Sequence, residues 1–112
     1  MAKEVEGLLS RAAGPPGVQY SLVAQKDGEY NIYSHGSKLP TGKMHLNRGE
    51  VWKYGETTSN QRYDQGYLNQ EGVIFVGEYY GNQAQIKVAE KIKIYSYYLK
   101  HRHLPPGNKI FR

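Results

Sequence analysis

The stretch Val73-Ile74-Phe75-Val76-Gly77-Glu78-Tyr79, followed after Gly81-Asn82 by Gln83 to His101, decides the fold class. Its first seven residues are rich in β-branched and aromatic side chains and read as a strand. Beyond them, Val88, Ile92, Tyr95 and Leu99 follow the 3.6-residue period, so Gln83 to His101 reads as the longest helix of the chain. Leu104-Pro105-Pro106-Gly107 ends it, because proline neither donates a backbone hydrogen bond nor fits a helix interior.

Upstream of that pair, Val18 to Ala24 and Glu29 to Ser34 read as strands joined by Lys26-Asp27-Gly28, a turn in which Asp-Gly supplies the positive φ. Gly36 to Gly49 is an excursion with a short strand at Lys43 to Leu46. Glu50 to Gly55 returns as a strand with Val51 and Lys53 alternating against Trp52 and Tyr54. Thr57-Thr58-Ser59-Asn60 supplies N-cap residues, which predicts a short helix over Ser59 to Gln65, ended by Gly66. Strands, a short helix, a strand and a long helix make an α+β layer. Residues 1–16 read as a leader or linker from a longer chain, closed by Gly14-Pro15-Pro16-Gly17, with residues 17–112 as one domain.

A chain of 112 residues fits that single domain and a modest core. With no cysteine it holds no disulfide, thiolate metal site or cysteine nucleophile. No apolar run approaches the roughly 18 residues that span a membrane. Eleven tyrosines supply apolar area with polar tips. The net charge is +5, and its distribution is one-sided. From Asn82 to Arg112 the basic residues are Lys87, Lys91, Lys93, Lys100, Arg102, Lys109 and Arg112, with Glu90 the lone acid among them. That is the electrostatic footprint expected for a polyanion partner, without information about base sequence.

Glu90 is the first candidate for chemistry. Its helical neighbours four residues away are Ile86 and Ile94, which places it on a second, partly apolar stripe. Lys87 and Lys93 flank it, and a surface Glu-Lys pair is the plain structural alternative. A carboxylate in a basic groove is also the anchor a hard divalent cation needs, since magnesium takes one or two carboxylates and completes its shell with water and phosphate. The second candidate is Lys53-Tyr54-Gly55-Glu56-Thr57-Thr58-Ser59-Asn60-Gln61-Arg62, a strand ending in Tyr-Gly, a Thr-rich cap and then an arginine. His101 and His103, at the helix end beside Arg102, read as dipole-complementing side chains before they read as metal ligands. His35 and His45 lie in the excursion as reserve general bases. No P-loop, dinucleotide fingerprint or serine-nucleophile elbow is present.

Tyr54-Gly55-x-Thr57 with Arg62 resembles the second half of the motif that names the GIY-YIG nucleases. Glu90 in a long helix, with Pro105-Pro106-Gly107-Asn108 after it, is similar to that family's helix glutamate and its following proline and asparagine. The order of the pieces agrees, and the resemblance extends from Gly17 onward. For the first half of the motif there are two candidates: Gly17-Val18-Gln19-Tyr20, with one extra residue, and Gly28-Glu29-Tyr30, with an acid in the middle. Tyr20 is slightly favoured, and either choice implies an insertion around Gly36 to Gly49.

The resemblance implies a small antiparallel sheet flanked by helices and metal-dependent hydrolysis of phosphodiesters. Glu90 would hold one Mg2+ or Mn2+ ion. Tyr20 or Tyr30, or Tyr54, would activate or orient the attacking water, and Arg62 would neutralise charge on the phosphate. Lys53, Lys91 and Lys93 would hold nucleic acid, with Asn108 as a supporting polar contact. The chain looks like the C-terminal nuclease domains of bacterial polymorphic toxins. That implies a monomeric DNase acting on double-stranded DNA in the cytoplasm of a target cell, and an acidic immunity protein. The rivals are a nucleic-acid-binding module without catalysis, using the tyrosines for stacking, and a protein-interaction domain.

Overall fold

The computed structural model describes residues 14–36, 38–58 and 65–108. The chain is α+β, as its patterning implies. The elements run β1 (Pro16–Ala24), β2 (Gly28–Ile32), β3 (Gly42–Leu46), β4 (Val51–Thr57), α1 (Gln65–Glu71), β5 (Val73–Asn82) and α2 (Gln83–His101). Three strands form an antiparallel sheet in the order β4-β1-β5, and β2 and β3 form a separate antiparallel pair. The excursion is therefore a hairpin inserted between two strands that are themselves neighbours. The reading of residues 1–16 as a leader falls mostly outside the described residues. Pro16 already pairs with Asn82, one residue before the expected start.

β1 is central and buried on both faces, from Val18 through Leu22. Tyr20, Leu22 and Ala24 share one face and join Tyr30, Leu46, Trp52, Leu68 and Val73 in the core. Gln19 and Ser21 point to the other face, which α2 covers through contacts to all three strands. Close approach there depends on Gly17: a Cβ at that position would strike the Thr57 carbonyl and sit 2.8 Å from Ile86 Cδ1.

Two expectations change. Among the described residues the short helix covers Gln65–Glu71 and carries Gly66, its expected stop, inside it. The stop is Gly72, whose φ of 76° suits glycine and whose N–H donates to the carbonyls of Leu68 and Asn69. Residues 59–64 lie outside the described residues. The second change is the face of α2. Ile86 and Ile94 are fully buried and Val88 nearly so, while Ile92 and Leu99 are 43% and 66% exposed. The stripe that packs on the sheet is the one that carries Glu90.

Asn82 and Gln85 start α2 with reciprocal bonds, each side chain accepting from the other's backbone N–H at 2.9 and 3.0 Å. Arg102, in the left-handed conformation, ends it by donating its N–H to the Tyr98 carbonyl. Leu104 to Asn108 then runs back along the outer edge of β4. Gly107 N–H donates to the Trp52 carbonyl at 2.7 Å, and the Pro106 carbonyl accepts from Tyr33. An edge strand with open peptide groups is thereby covered from within the chain.

Candidate active site

The sheet register brings the two halves of the tyrosine pattern together. Tyr20 lies opposite Gly55, and Ser21 lies opposite Tyr54. Tyr20 projects across the strand pair onto Gly55, where any Cβ would collide with its hydroxyl and ring. Its other face stacks on Phe75 at 4.7 Å between centroids, and no part of it is exposed. Tyr54 points to the opposite face, toward α2. It lines a cleft of about 510 Å³ with Glu50, Lys93, Tyr97, Lys100 and His101.

Tyr54 is held on both sides. Its N–H donates to Asn108 Oδ1, and its carbonyl accepts from Asn108 Nδ2, both at 2.9 Å. Both peptide groups of one residue point the same way in an antiparallel pair. They point away from β1, and the Asn108 carboxamide substitutes for a neighbouring strand. The ring meets Tyr97 edge to face at 6.3 Å, and Tyr97 in turn packs on His101 at 4.2 Å and His103 at 5.6 Å.

Burial raises the Tyr54 pKa above the usual 10, and the negative charge of Glu78 raises it further. Tyr97 is raised in the same direction by burial, then by Glu50 and Tyr54. In the protein by itself both hydroxyls are held protonated at neutral pH. Tyr54 is thus built to donate or orient a hydrogen bond, and acts as a base only beside an added cation.

The remaining predicted residues divide. Glu90, partly buried, sits on the inward stripe of α2 between Ile86 and Ile94. Lys93 is exposed and lines the Tyr54 cleft. Lys91 lies about 100° further round the helix than Glu90 and is absent from the cleft lining. Lys53 neighbours Tyr54 along β4 and so projects to the opposite face of the sheet. Asn108 is buried and its carboxamide bonds both peptide groups of Tyr54, which makes it a positioning residue for that tyrosine. Tyr30 belongs to the core of the inserted hairpin. Its hydroxyl donates to the Lys26 carbonyl at 2.6 Å and accepts from the Lys26 N–H. Of the two first-tyrosine candidates, Tyr20 is therefore the one beside β4. Arg62 lies outside the described residues.

Sequence reasoning missed Glu78, Gln19, Ser21 and Tyr97. Glu78 accepts hydrogen bonds from Gln19 and Ser21 and is close enough to act on Tyr54. An acid inside an otherwise apolar strand, next to Gly77, was the available signal of a bulge.

Among the described residues, no three His, Cys, Asp or Glu side chains converge as a metal site. Glu90 offers a hard oxygen donor on the covered side of α2. One carboxylate suits an ion that keeps most of its shell as water and substrate oxygens, as magnesium does. Compared with protein-family models, curated proteins and solved structures, the chain matches none of them. No helix among the described residues is long and apolar enough to cross a membrane.

Proposed function

We propose that the domain is a metal-dependent nuclease that hydrolyses phosphodiester bonds in the cleft between β4 and α2. The observation that carries this reading is the placement of Tyr54. It stands next to the strand of Tyr20, is fixed at its backbone by Asn108, and opens into a cleft bordered by Lys93, Lys100 and His101. Of these, the resemblance to GIY-YIG nucleases assigns Tyr20, Tyr54, Lys93 and Asn108 to the site; Lys100 and His101 are added by the cleft, and Glu90 lies on the same helix as the two lysines.

In this reading Lys93 and Lys100 hold the phosphate by charge, and the Tyr54 hydroxyl, kept protonated by burial and Glu78, orients the attacking water through a hydrogen bond. Arg62 carries the charge-neutralising role. A divalent cation on Glu90 supplies polarisation of the phosphoryl oxygen and stabilisation of the leaving oxygen. Tyr20, fully buried, supports the site by packing against Gly55. Double-stranded DNA is the proposed substrate. A toxin delivered into the cytoplasm of a competing bacterium, acting as a monomer and blocked by an acidic immunity protein, is the proposed setting for so basic a face.

The test is plasmid cleavage by the purified domain with Mg2+, Mn2+ or EDTA, beside Glu90→Ala and Arg62→Ala. Metal-dependent nicking lost in both variants is expected. A folded wild type that leaves DNA and RNA intact with both metals overturns the reading. Its exposed lysines would then serve a non-catalytic nucleic-acid-binding module, whose affinity must fall steeply with salt.

A further inference from the structure

β5 carries one residue more than β1 can pair. Gln19 lies opposite Tyr79 and Tyr20 opposite Gly77, which leaves Glu78 in the bulge between them. A bulge re-aims a side chain, and here it turns the carboxylate onto two buried donors. Glu78 Oε1 accepts from Gln19 Nε2 at 2.9 Å, and Oε2 accepts from Ser21 Oγ at 3.1 Å. Gln19 and Ser21 are 0% and 1% exposed. Gln19 Nε2 also donates to the Tyr20 carbonyl, so the amide cannot turn over without setting its oxygen against two acceptors. The carboxylate is therefore fixed in plane and rotation.

A carboxylate has about four lone-pair sites. One on each oxygen is taken by the floor of the site, so both oxygens keep acceptor capacity on an exposed side chain. They border a cavity of about 490 Å³ walled by Val88, Ala89 and Ile92 of α2 and by Tyr79 of β5. Ile92 and Lys93 line both this cavity and the Tyr54 cleft, so the two form adjoining parts of one groove.

We infer that this cavity is a nucleobase subsite that selects an unpaired guanine; the inference rests on the nucleic-acid reading of the adjoining cleft. Two adjacent acceptor oxygens match two adjacent donors. Guanine presents them, as N1–H and the 2-amino group, on one edge. Adenine and cytosine set an acceptor beside their donor, and thymine and uracil set carbonyls on both sides of theirs. Each of those would place a lone pair against the carboxylate. The apolar walls receive the ring, the half-exposed Tyr79 offers a stacking face, and Lys93 meets the neighbouring phosphate. The guanine edge used is the one base pairing consumes, so the nucleotide is single-stranded or extruded from the duplex.

The experiment is fluorescence anisotropy in EDTA, where no cleavage occurs, with labelled oligothymidylates carrying one central guanine, hypoxanthine, adenine, cytosine or thymine. The wild type is expected to favour guanine by about 10- to 100-fold over adenine, cytosine and thymine. Hypoxanthine, which lacks the 2-amino group, should fall between. Glu78→Gln should level the series, and so should Ala89→Leu, which fills the cavity and leaves the carboxylate in place. Circular dichroism confirms that each variant is folded. Equal binding of all five oligonucleotides, or a preference that survives both substitutions, overturns the inference and leaves the nuclease reading standing. Failure to bind any of them overturns the inference, while the nuclease reading stands or falls on plasmid cleavage.

Discussion

Replacing Asn108 with alanine removes the clamp on Tyr54 and leaves the edge of β4 with two peptide groups that have lost their partners. Each lost hydrogen bond is worth about 0.5–1.5 kcal/mol net, and a buried group left unsatisfied costs about 1–3 kcal/mol. Asn108 is 8% exposed and the two bonds are partly buried, so water replaces them incompletely. The expected destabilisation is about 2–4 kcal/mol for the pair. Asn108→Asp is the sharper control. It keeps the acceptor for the Tyr54 N–H and sets a carboxylate oxygen against the Tyr54 carbonyl, so it should recover less than half of the loss. Urea unfolding followed by circular dichroism, at unchanged m-value, measures both. In the cleavage assay, under conditions where each variant is folded, activity should fall further than the folded fraction, because Tyr54 is then positioned by β1 alone. An Asn108→Ala variant within about 0.5 kcal/mol of the wild type, the range of ordinary surface substitutions, would refute the claim that this side chain completes the sheet edge.

Glu90→Gln keeps the shape and helix propensity of the residue, so stability should change by less than about 1 kcal/mol, while metal-dependent cleavage falls by more than about 100-fold, beyond the effect of losing an outer-shell partner; isothermal titration with Mn2+ checks the metal directly. Gly107→Ala would place a Cβ 2.8 Å from the Trp52 ring; overpacking of this kind costs about 1–3 kcal/mol, read as a lower urea midpoint. Arg102→Gly relieves the left-handed backbone at φ 63° and should raise stability by up to about 1 kcal/mol, since that conformation costs a non-glycine residue about 1–2 kcal/mol and glycine returns part of it as unfolded-chain entropy. Tyr54 and Tyr97 have folded pKa values raised above 10, so the folded state holds their protons longer than the unfolded one. Their contribution is fully present below pH 10 and is lost as pH rises through the folded values. The melting temperature should decline above pH 10, less steeply in Tyr54→Phe; an equal decline in that variant counts against the assignment.

Much of the architecture follows from local pattern. The Asn82-x-x-Gln85 box and the Pro-Pro pair fix the ends of α2, and the β-branched run at Val73 fixes β5. What local pattern could not supply is which of two stripes α2 buries. Val88, Ile92, Tyr95 and Leu99 have the stronger apolar period, but Ile86 wins because Gly17, distant in sequence, lets it approach the sheet. The stop of the short helix was misread for a related reason. A run of capping residues at Thr57 to Asn60 competes with Gly72, and the decisive stop is set by the left-handed turn before β5. At the candidate site, residue type and spacing were enough to nominate Tyr54 and Lys93, which line one cleft, and Glu90, which lies on the inward stripe of α2. Glu78 was not, because its position depends on a mismatch in the number of residues between two strands that only their pairing reveals. Asn108 was found as a residue, but its task was not legible: nothing in Pro-Pro-Gly-Asn states that the segment returns to the free edge of β4.

In the proposed reading, Glu78 and a cation held by Glu90 act on Tyr54 with opposite signs. Glu78 is anchored by neutral donors, and its negative charge raises the proton affinity of Tyr54. A phenol so placed does not become a base unless positive charge arrives nearby. Glu90 is where that charge would come from, as the anchor for a divalent cation, with Lys93 and Lys100 adding to it at the cleft. In the proposed reading, Tyr54 responds to the loaded site and is inert without it. Cleavage in Glu78→Gln should for that reason tolerate a lower pH than in the wild type: removing the negative neighbour lowers the Tyr54 pKa, and any step that needs its phenolate shifts the same way. If the pH profile of cleavage does not move, Tyr54 acts only as a hydrogen-bond donor, and the proton from the attacking water leaves by another route, for which His101, packed on Tyr97 and lining the same cleft, is the candidate.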